Sequence, residues 1–377
     1  MTGHSGSLPG STVDLDDTDS LLAADHDGAL RAASMAGAQV RATAAAVDEG
    51  ALDVVRSDSK DYPPRAVIWV STRGVAASAG NLLAAARGDS VAAPLVLAAE
   101  APAWIGPLDV VVIAGDDPGD PALVAAAAAG VRRGARVVVV APYEGPLRDA
   151  TAGRVAVLEP RIGVPPEFGL PRYLAAGLAV LDALETGDTA AQIDLGALAD
   201  ELDAEALRNS AGREVFTNPA KILADRIVGR DVALVGDCAA TLTLARHGSA
   251  VMLRIGRTVV AAAGLADAVS VLRDRAAKGA ADLFHDEQID GPAGDRLRIL
   301  ALTLAAERTV VAARTSGLHD VDLVGAGDVP MGPGAPEGPA EPVGVPESTG
   351  PARIEQQLAV LAVRLEMAAA YVRILRG

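Results

Sequence analysis

The sequence predicts an α/β protein of two doubly wound parallel-sheet lobes, flavodoxin-like α/β/α sandwiches, with extra helices at the N- and C-terminal ends. Three observations predict it. The chain has 377 residues, a length that suits two domains. Hydrophobic residues make up 50% and aromatics only 2%, so the core must be built from Ala, Val, Leu and Ile, as in close helix-on-sheet packing. Short Val- and Ile-rich runs alternate with Ala-rich helical stretches, the pattern of βαβ units.

The first segment, residues 1–56, carries helical spacing from about residue 14, with Leu21, Leu22, Leu30 and Val40 set among Asp, Arg and Ala. It reads as one or two helices before the first lobe. Residues 57–190 form that lobe. After Pro63-Pro64, the run Ala66-Val67-Ile68-Trp69-Val70 fits a buried strand, Gly74 opens a turn, and a helical pattern follows. The unit recurs at Asp109 to Ala114, an Ala-rich helix to Gly130, and Arg136 to Val140, with a further strand near 155–158 and a helix near 170–185. Residues 191–210 are acidic and lack strand character, and read as a linker with its own helix. In residues 211–377, Asn218-Pro219-Ala220-Lys221 opens a helix with Pro in its first turn, and Asp231 to Gly236 is a strand. Residues 325–351 are rich in Pro and Gly and read as a mobile loop. A closing helix from about Arg353 to Leu375 shows an apolar face with Ile354, Leu358, Leu361, Leu365 and Tyr371.

Charge excludes several partners. Lys and Arg total 33 against 49 acids, a net charge of -16, and there is no basic stripe for nucleic acid or an anionic membrane surface. The N-terminus lacks the basic and apolar regions of a signal peptide, and no apolar run reaches the ~20 residues that span a bilayer. With Cys238 the only cysteine, no intrachain disulfide forms, and the expected compartment is the cytoplasm. One Cys and five scattered His give no metal-ligand spacing, and neither G-x-G-x-x-G nor the P-loop pattern occurs. Neither metal nor cofactor is expected.

Four segments, in order, carry a resemblance. They are Pro102-Ala103-Trp104-Ile105, Leu170-Pro171-Arg172, Asn218-Pro219-Ala220-Lys221 with Leu223-Ala224, and Phe284-His285-Asp286-Glu287. Over nearly the whole chain the sequence resembles the bifunctional phosphoglucose/phosphomannose isomerases, two-lobed members of the sugar isomerase (SIS) fold. The resemblance implies interconversion of fructose 6-phosphate with glucose 6-phosphate or mannose 6-phosphate, which needs a carboxylate base, an acid/base for ring opening and donors for phosphate. It implies that His285 opens the sugar ring, in its own or a neighbouring subunit, and that Arg172 stabilises enediolate charge. The residue-level alternative for Arg172 is an ion pair with Glu167 or Asp182, and for His285 a solvated turn residue.

Several parts of the family's site are altered. Its hydroxyl-rich phosphate turn is here Ala114-Gly115-Asp116-Asp117-Pro118-Gly119-Asp120. Like charges about 4 Å apart at an effective dielectric near 20 cost on the order of 4 kcal/mol per pair, so this turn repels a phosphate. Asp116 or Asp117 reads alternatively as the N-cap of the next helix. The loop Ser71-Thr72-Arg73-Gly74 either binds an anion or is a surface turn with an exposed Arg. The family's catalytic Glu aligns with Leu253 or Arg254, and Asp267 is the nearest downstream acid. The chain stops at Arg376-Gly377, where the family has a Lys-bearing segment, and Ala369 stands for a Ser or Thr. The candidate catalytic residues are therefore His285, Arg172 and Asp267; the candidate substrate-binding residues are Ser71, Thr72, Arg73, Gly74, Asp116, Asp117 and Gly119. Two readings follow: a catalytically silent sugar-phosphate-binding relative, or an active isomerase with a rearranged site. A homodimer through the closing helix is expected in either case.

Overall fold

In the computed structural model the described residues are 13–56, 62–185, 193–281, 297–328 and 353–377. Where one or two helices are expected, the entry segment has α1 (Thr18–Ala24), α2 (Ala29–Ser34) and α3 (Ala36–Asp48), with a further helical turn at residues 53–56. The Asp25 carboxylate accepts from the amides of Ala29 and Leu30 at 2.8 and 3.0 Å, which breaks the helix between α1 and α2 and caps the second.

The first lobe runs β1 (Ala66–Val70), α4 (Gly74–Arg87), β2 (Leu95–Ala98), β3 (Asp109–Ala114), α5 (Pro121–Arg132), β4 (Arg136–Val140), α6 (Gly145–Thr151), β5 (Ala156–Val157) and α7 (Leu170–Leu184). All five strands are parallel, in the order β2-β1-β3-β4-β5, with Ile68 opposite both Val96 and Val111. Alternation decides the faces. Val67, Trp69, Val110, Val112, Val138 and Val140 join the large inner core, while Ile68, Val70, Val111, Ile113, Val137 and Val139 pack on the other side. Since both faces are covered, the strands β1, β3 and β4 read as unbroken apolar runs, which made them legible.

From α8 (Leu195–Arg208) and α9 (Pro219–Ile227) the chain enters the second lobe, β6 (Val232–Gly236), α10 (Ala239–Arg254), β7 (Ala261–Gly264), α11 (Leu265–Ala281), β8 (Arg298–Thr303), α12 (Arg308–Thr315) and β9 (Val321–Gly325), and closes with α13 (Ile354–Arg376). Its parallel sheet has the order β7-β6-β8-β9. The segment read as a linker is packed: Leu198 and Leu202 of α8 are buried in the inner core. The segment read as a mobile loop falls mainly on residues 329–352, outside the described residues.

Buried polar groups fasten the N-terminal segment and α8 to the second lobe. Asn218 caps α9 through the Lys221 amide, and the fully buried Lys221 ammonium donates to the carbonyls of Leu15, Ala211 and Arg213 at 2.6–2.7 Å. The Asn-Pro-Ala-Lys segment is thus a hub that fastens the N-terminal segment to the second lobe. Glu205 of α8 is held below the usual carboxylate range: burial pushes it up, and the Arg364 guanidinium at 2.6 Å, with Arg208, outweighs that.

One expectation is corrected here. The closing helix is no free dimerisation face, because Leu365 and Tyr371 are 1% and 0% exposed within a single chain. Residues 357–372 of α13 are buried throughout, and the Tyr371 hydroxyl donates to the Asn209 carbonyl at 2.7 Å. Nearly every side of this helix is apolar because the protein's own helices surround it.

Candidate functional site

In the first sheet β1 is followed by β2 on one side and β3 on the other, so the connections out of β1 and β3 diverge and leave a crevice at their carboxyl ends. A cleft of about 570 Å³ occupies it. One wall is the turn after β1. Here Arg73 leads in extended conformation to Gly74, whose φ of +71° sets the first turn of α4, a conformation in which a Cβ is strained. Among the described residues no side chain caps the α4 N-terminus. The facing wall is the turn 115–120 after β3, the floor includes Pro166 and Glu167, and the second lobe contributes Arg254 from the end of α10. The Arg254 Nη1 atom lies 3.9 Å from where a Gly74 Cβ would stand, which brings a guanidinium to the open α4 terminus.

The three acids of the turn are already matched by the protein. Asp116 Oδ1 accepts from Arg172 Nη2 at 3.0 Å and from the Tyr173 hydroxyl at 2.6 Å. Arg172 also stacks over the Tyr173 ring at 4.1 Å, and burial, with Asp116 beside it, pushes the Tyr173 phenol well above its ordinary range, so it stays a donor. Asp117 accepts from the Gly119 amide at 2.8 Å and lies 3.7 Å from Arg73. Asp120 caps α5 through the Ala122 amide and accepts from Thr72 at 2.8 Å. Burial pushes Asp120 up, but Thr72, the Ala122 and Leu123 amides and Arg73 together hold it below the ordinary carboxylate value. The helix cap is therefore Asp120, not Asp116 or Asp117, because Pro121 fixes the first helical residue one step later.

The cleft and its immediate support hold four carboxylates (Asp116, Asp117, Asp120, Glu167) against three guanidiniums (Arg73, Arg172, Arg254). The repulsion expected from the bare acidic turn is largely offset, and the positive pole lies across the cleft at α4. Of the candidate residues, Thr72, Arg73, Gly74, Asp116 and Asp117 line the cleft, with Arg172 directly behind Asp116. Ser71 instead donates its amide to Ala98, and Gly119 braces Asp117. The partner of Arg172 is Asp116, neither Glu167 nor Asp182. Asp267 is exposed in the first turn of α11, after edge strand β7, and does not line the cleft, so it is not placed to act as the base. His285 lies outside the described residues. At the position aligned with a catalytic Glu, Arg254 faces the cleft and Leu253 is 59% exposed.

Sequence reasoning missed two features. Glu167 lines the cleft without a hydrogen bond or ion pair among the described residues. Deeper, His247 of α10 and Glu366 of α13 are each 1% exposed, 3.9 Å apart, and none of their four polar side-chain atoms has a hydrogen-bond partner among the described residues. Burial pushes Glu366 up to about 8, against the pull of Arg254, and pushes His247 down to about 3, with Arg254 adding to the fall. Burial thus disfavours the charged form of each. The signal for Glu366 was a lone acid between Leu365 and Met367 in a long apolar helix. Among the described residues, no group of three or more His, Cys, Asp or Glu could hold a metal ion, and no helix is long and apolar enough to cross a membrane.

No protein-family model matches the sequence, and no curated protein does. Solved structures match over the whole fold. Tagatose-6-phosphate ketose/aldose isomerase from Escherichia coli aligns with a TM-score of 0.59 at 11% identity, over 97% of this chain and 96% of that one. The C-terminal domain of glucosamine-fructose-6-phosphate aminotransferase from Francisella tularensis aligns with a TM-score of 0.56 at 10% identity, over 95% and 96%. A Silicibacter pomeroyi protein described as a candidate phosphosugar isomerase aligns with a TM-score of 0.57 at 15% identity, over 91% and 96%. The chain therefore has the two-lobed fold of the SIS phosphosugar proteins. These neighbours do not single out the bifunctional phosphoglucose/phosphomannose isomerases.

Proposed function

We propose that the cleft binds a sugar phosphate, with the phosphate at the open N-terminus of α4 between Arg73 and Arg254 and the sugar hydroxyls toward the carboxylates of the 115–120 turn. The observation that carries this reading is the Arg254 guanidinium of the second lobe at the first turn of α4, a terminus without a side-chain cap among the described residues, where the strand order reverses and Arg73 also lines the cleft. An uncapped terminus offers free amides and a partial positive charge, and arginines add the formal charge that a phosphate needs. The cleft volume of about 570 Å³ suits a ligand of this size. We place this protein among catalytically silent relatives. Abstraction of a carbon-bound proton needs a base, and Arg254 stands where the resemblance calls for one, a guanidinium in place of a carboxylate.

Glu167 favours a second reading, an active aldose-ketose isomerase, since it is the cleft carboxylate without a cation partner among the described residues. One experiment separates the two. Fructose 6-phosphate is titrated into the protein by calorimetry, and formation of glucose 6-phosphate or mannose 6-phosphate is followed in the same samples. The silent reading expects saturable binding, weakened in Arg73→Gln and Arg254→Gln, with no product above blank. Turnover that disappears in Glu167→Gln would establish the second reading, and absence of binding at millimolar ligand would remove both.

A further inference from the structure

A second, smaller cavity of about 260 Å³ adjoins the cleft, and the two share Asp116 and Pro166 as lining residues. It lies beyond the carboxyl ends of β4 and β5, walled by Pro142 and by the proline-rich segment that leads to α7. Proline has no amide hydrogen, so this wall is stiff and offers few donors. Two cations line it. Arg161 is occupied, since both its terminal nitrogens bond Glu49 at 2.8 and 2.6 Å. Arg172 is only partly so. Its Nη2 bonds Asp116, but Nη1 has no hydrogen-bond partner among the described residues although the residue is 7% exposed. A buried guanidinium hydrogen without an acceptor is a cost that an incoming oxygen removes.

We infer that this side pocket receives a carboxylate carried on the ligand of the cleft, so that the natural ligand is a sugar phosphate bearing an acidic substituent rather than a bare hexose phosphate. The inference rests on the reading of the cleft given above. The planar fork of Arg172, held in place by Asp116 and the Tyr173 ring, is matched to a flat oxyanion. A volume of about 260 Å³ holds a short acid arm and is too small for a second sugar phosphate.

The test uses the full chain and two probes, lactate for the side pocket and fructose 6-phosphate for the cleft. Gly163 lines the side pocket with no heavy atom within 4 Å of a Cβ built on it and without a positive φ, so Gly163→Leu fills the pocket from a tolerant position. Lactate is expected to bind the wild type together with fructose 6-phosphate and to shift the Arg172 guanidinium resonance. Gly163→Leu is expected to weaken lactate at least about tenfold with fructose 6-phosphate affinity kept, and Arg172→Lys, which loses the fork but keeps the charge, to weaken lactate similarly. Should the wild type bind fructose 6-phosphate and leave the Arg172 resonance unmoved by lactate, or should Gly163→Leu bind lactate as well as wild type, the side pocket is overturned and the cleft stands. Lactate binding without fructose 6-phosphate binding keeps the side pocket and overturns the cleft.

Discussion

The two lobes repeat one topology, yet their crevices have opposite fates. At the end of β1 the α4 N-terminus has no side-chain cap among the described residues, with Arg73 before it and Arg254 beside it. At the matching end of β6 the α10 N-terminus is satisfied from within. The Thr241 hydroxyl accepts from the amides of Asp237 and Cys238 at 3.1 and 3.2 Å, and Arg314 holds both Asp237 oxygens at 2.5 and 2.7 Å. A Cβ on Gly236 would stand 2.1 Å from the Leu242 amide nitrogen, so strand and helix meet there without room for a ligand. A shared fold supplies two crevices, and local capping decides which one stays open. Helix α10 joins them, starting at the closed crevice and ending with Arg254 in the open one.

That bridging role gives the largest expected effect. His247 and Glu366 pack midway along α10. Because Glu366 is raised from 4.5 to about 8, the folded chain binds more protons than the unfolded one between those values, and stability falls as pH rises through them. His247, lowered from 6.5 to about 3, acts in the opposite direction but only below pH 6.5. Between pH 6.5 and 8 the Glu366 contribution stands alone and amounts to about 2 kcal/mol. Glu366→Gln is expected to flatten that window in urea titrations; an equal fall in wild type and variant would detach the pair from the stability of this bridge.

Next in size is the charge at the open crevice. Arg254→Glu reverses a cation at the α4 terminus and is expected to weaken fructose 6-phosphate binding about twentyfold in calorimetry, since two unit charges change within reach of the phosphate. Asp116→Asn works in the other direction. It removes an internal anion that now occupies Arg172 and Tyr173, and is expected to strengthen the same ligand by about tenfold. Unchanged affinity in both variants would place the ligand elsewhere. The smallest effect belongs to the closed crevice. Asp237→Ala breaks a pair whose arginine is 58% exposed, so a stability loss of about 1 kcal/mol or less and no change in ligand affinity are expected from thermal melts and calorimetry.

The strands and helices of the first lobe were legible because their apolar runs are buried on both faces, as at Val110 to Ala114. Edge strand β2, with Leu97 40% exposed, carries too weak a pattern to be read, and the three short entry helices are set apart by the Asp25 cap rather than by periodicity. At the site, the acidic turn was read correctly as residues and incompletely as electrostatics. Local sequence shows Asp116, Asp117 and Asp120, but the guanidiniums that answer them come from Arg73 and Arg172, 47 and 56 residues away from Asp120 and Asp116. Arg254 crosses from the other lobe, a placement that only the packing of α10 against α4 brings about. Nor did the apolar face of the closing helix announce that its partner would be this same chain.

The most direct test of the account is a crystal structure with fructose 6-phosphate bound. The phosphorus is expected between Arg73 and Arg254, with phosphate oxygens on the first amides of α4 and the sugar turned toward Asp116 and Asp120. A phosphate seated on the 115–120 turn, or in the second-lobe crevice beside Cys238, would contradict it.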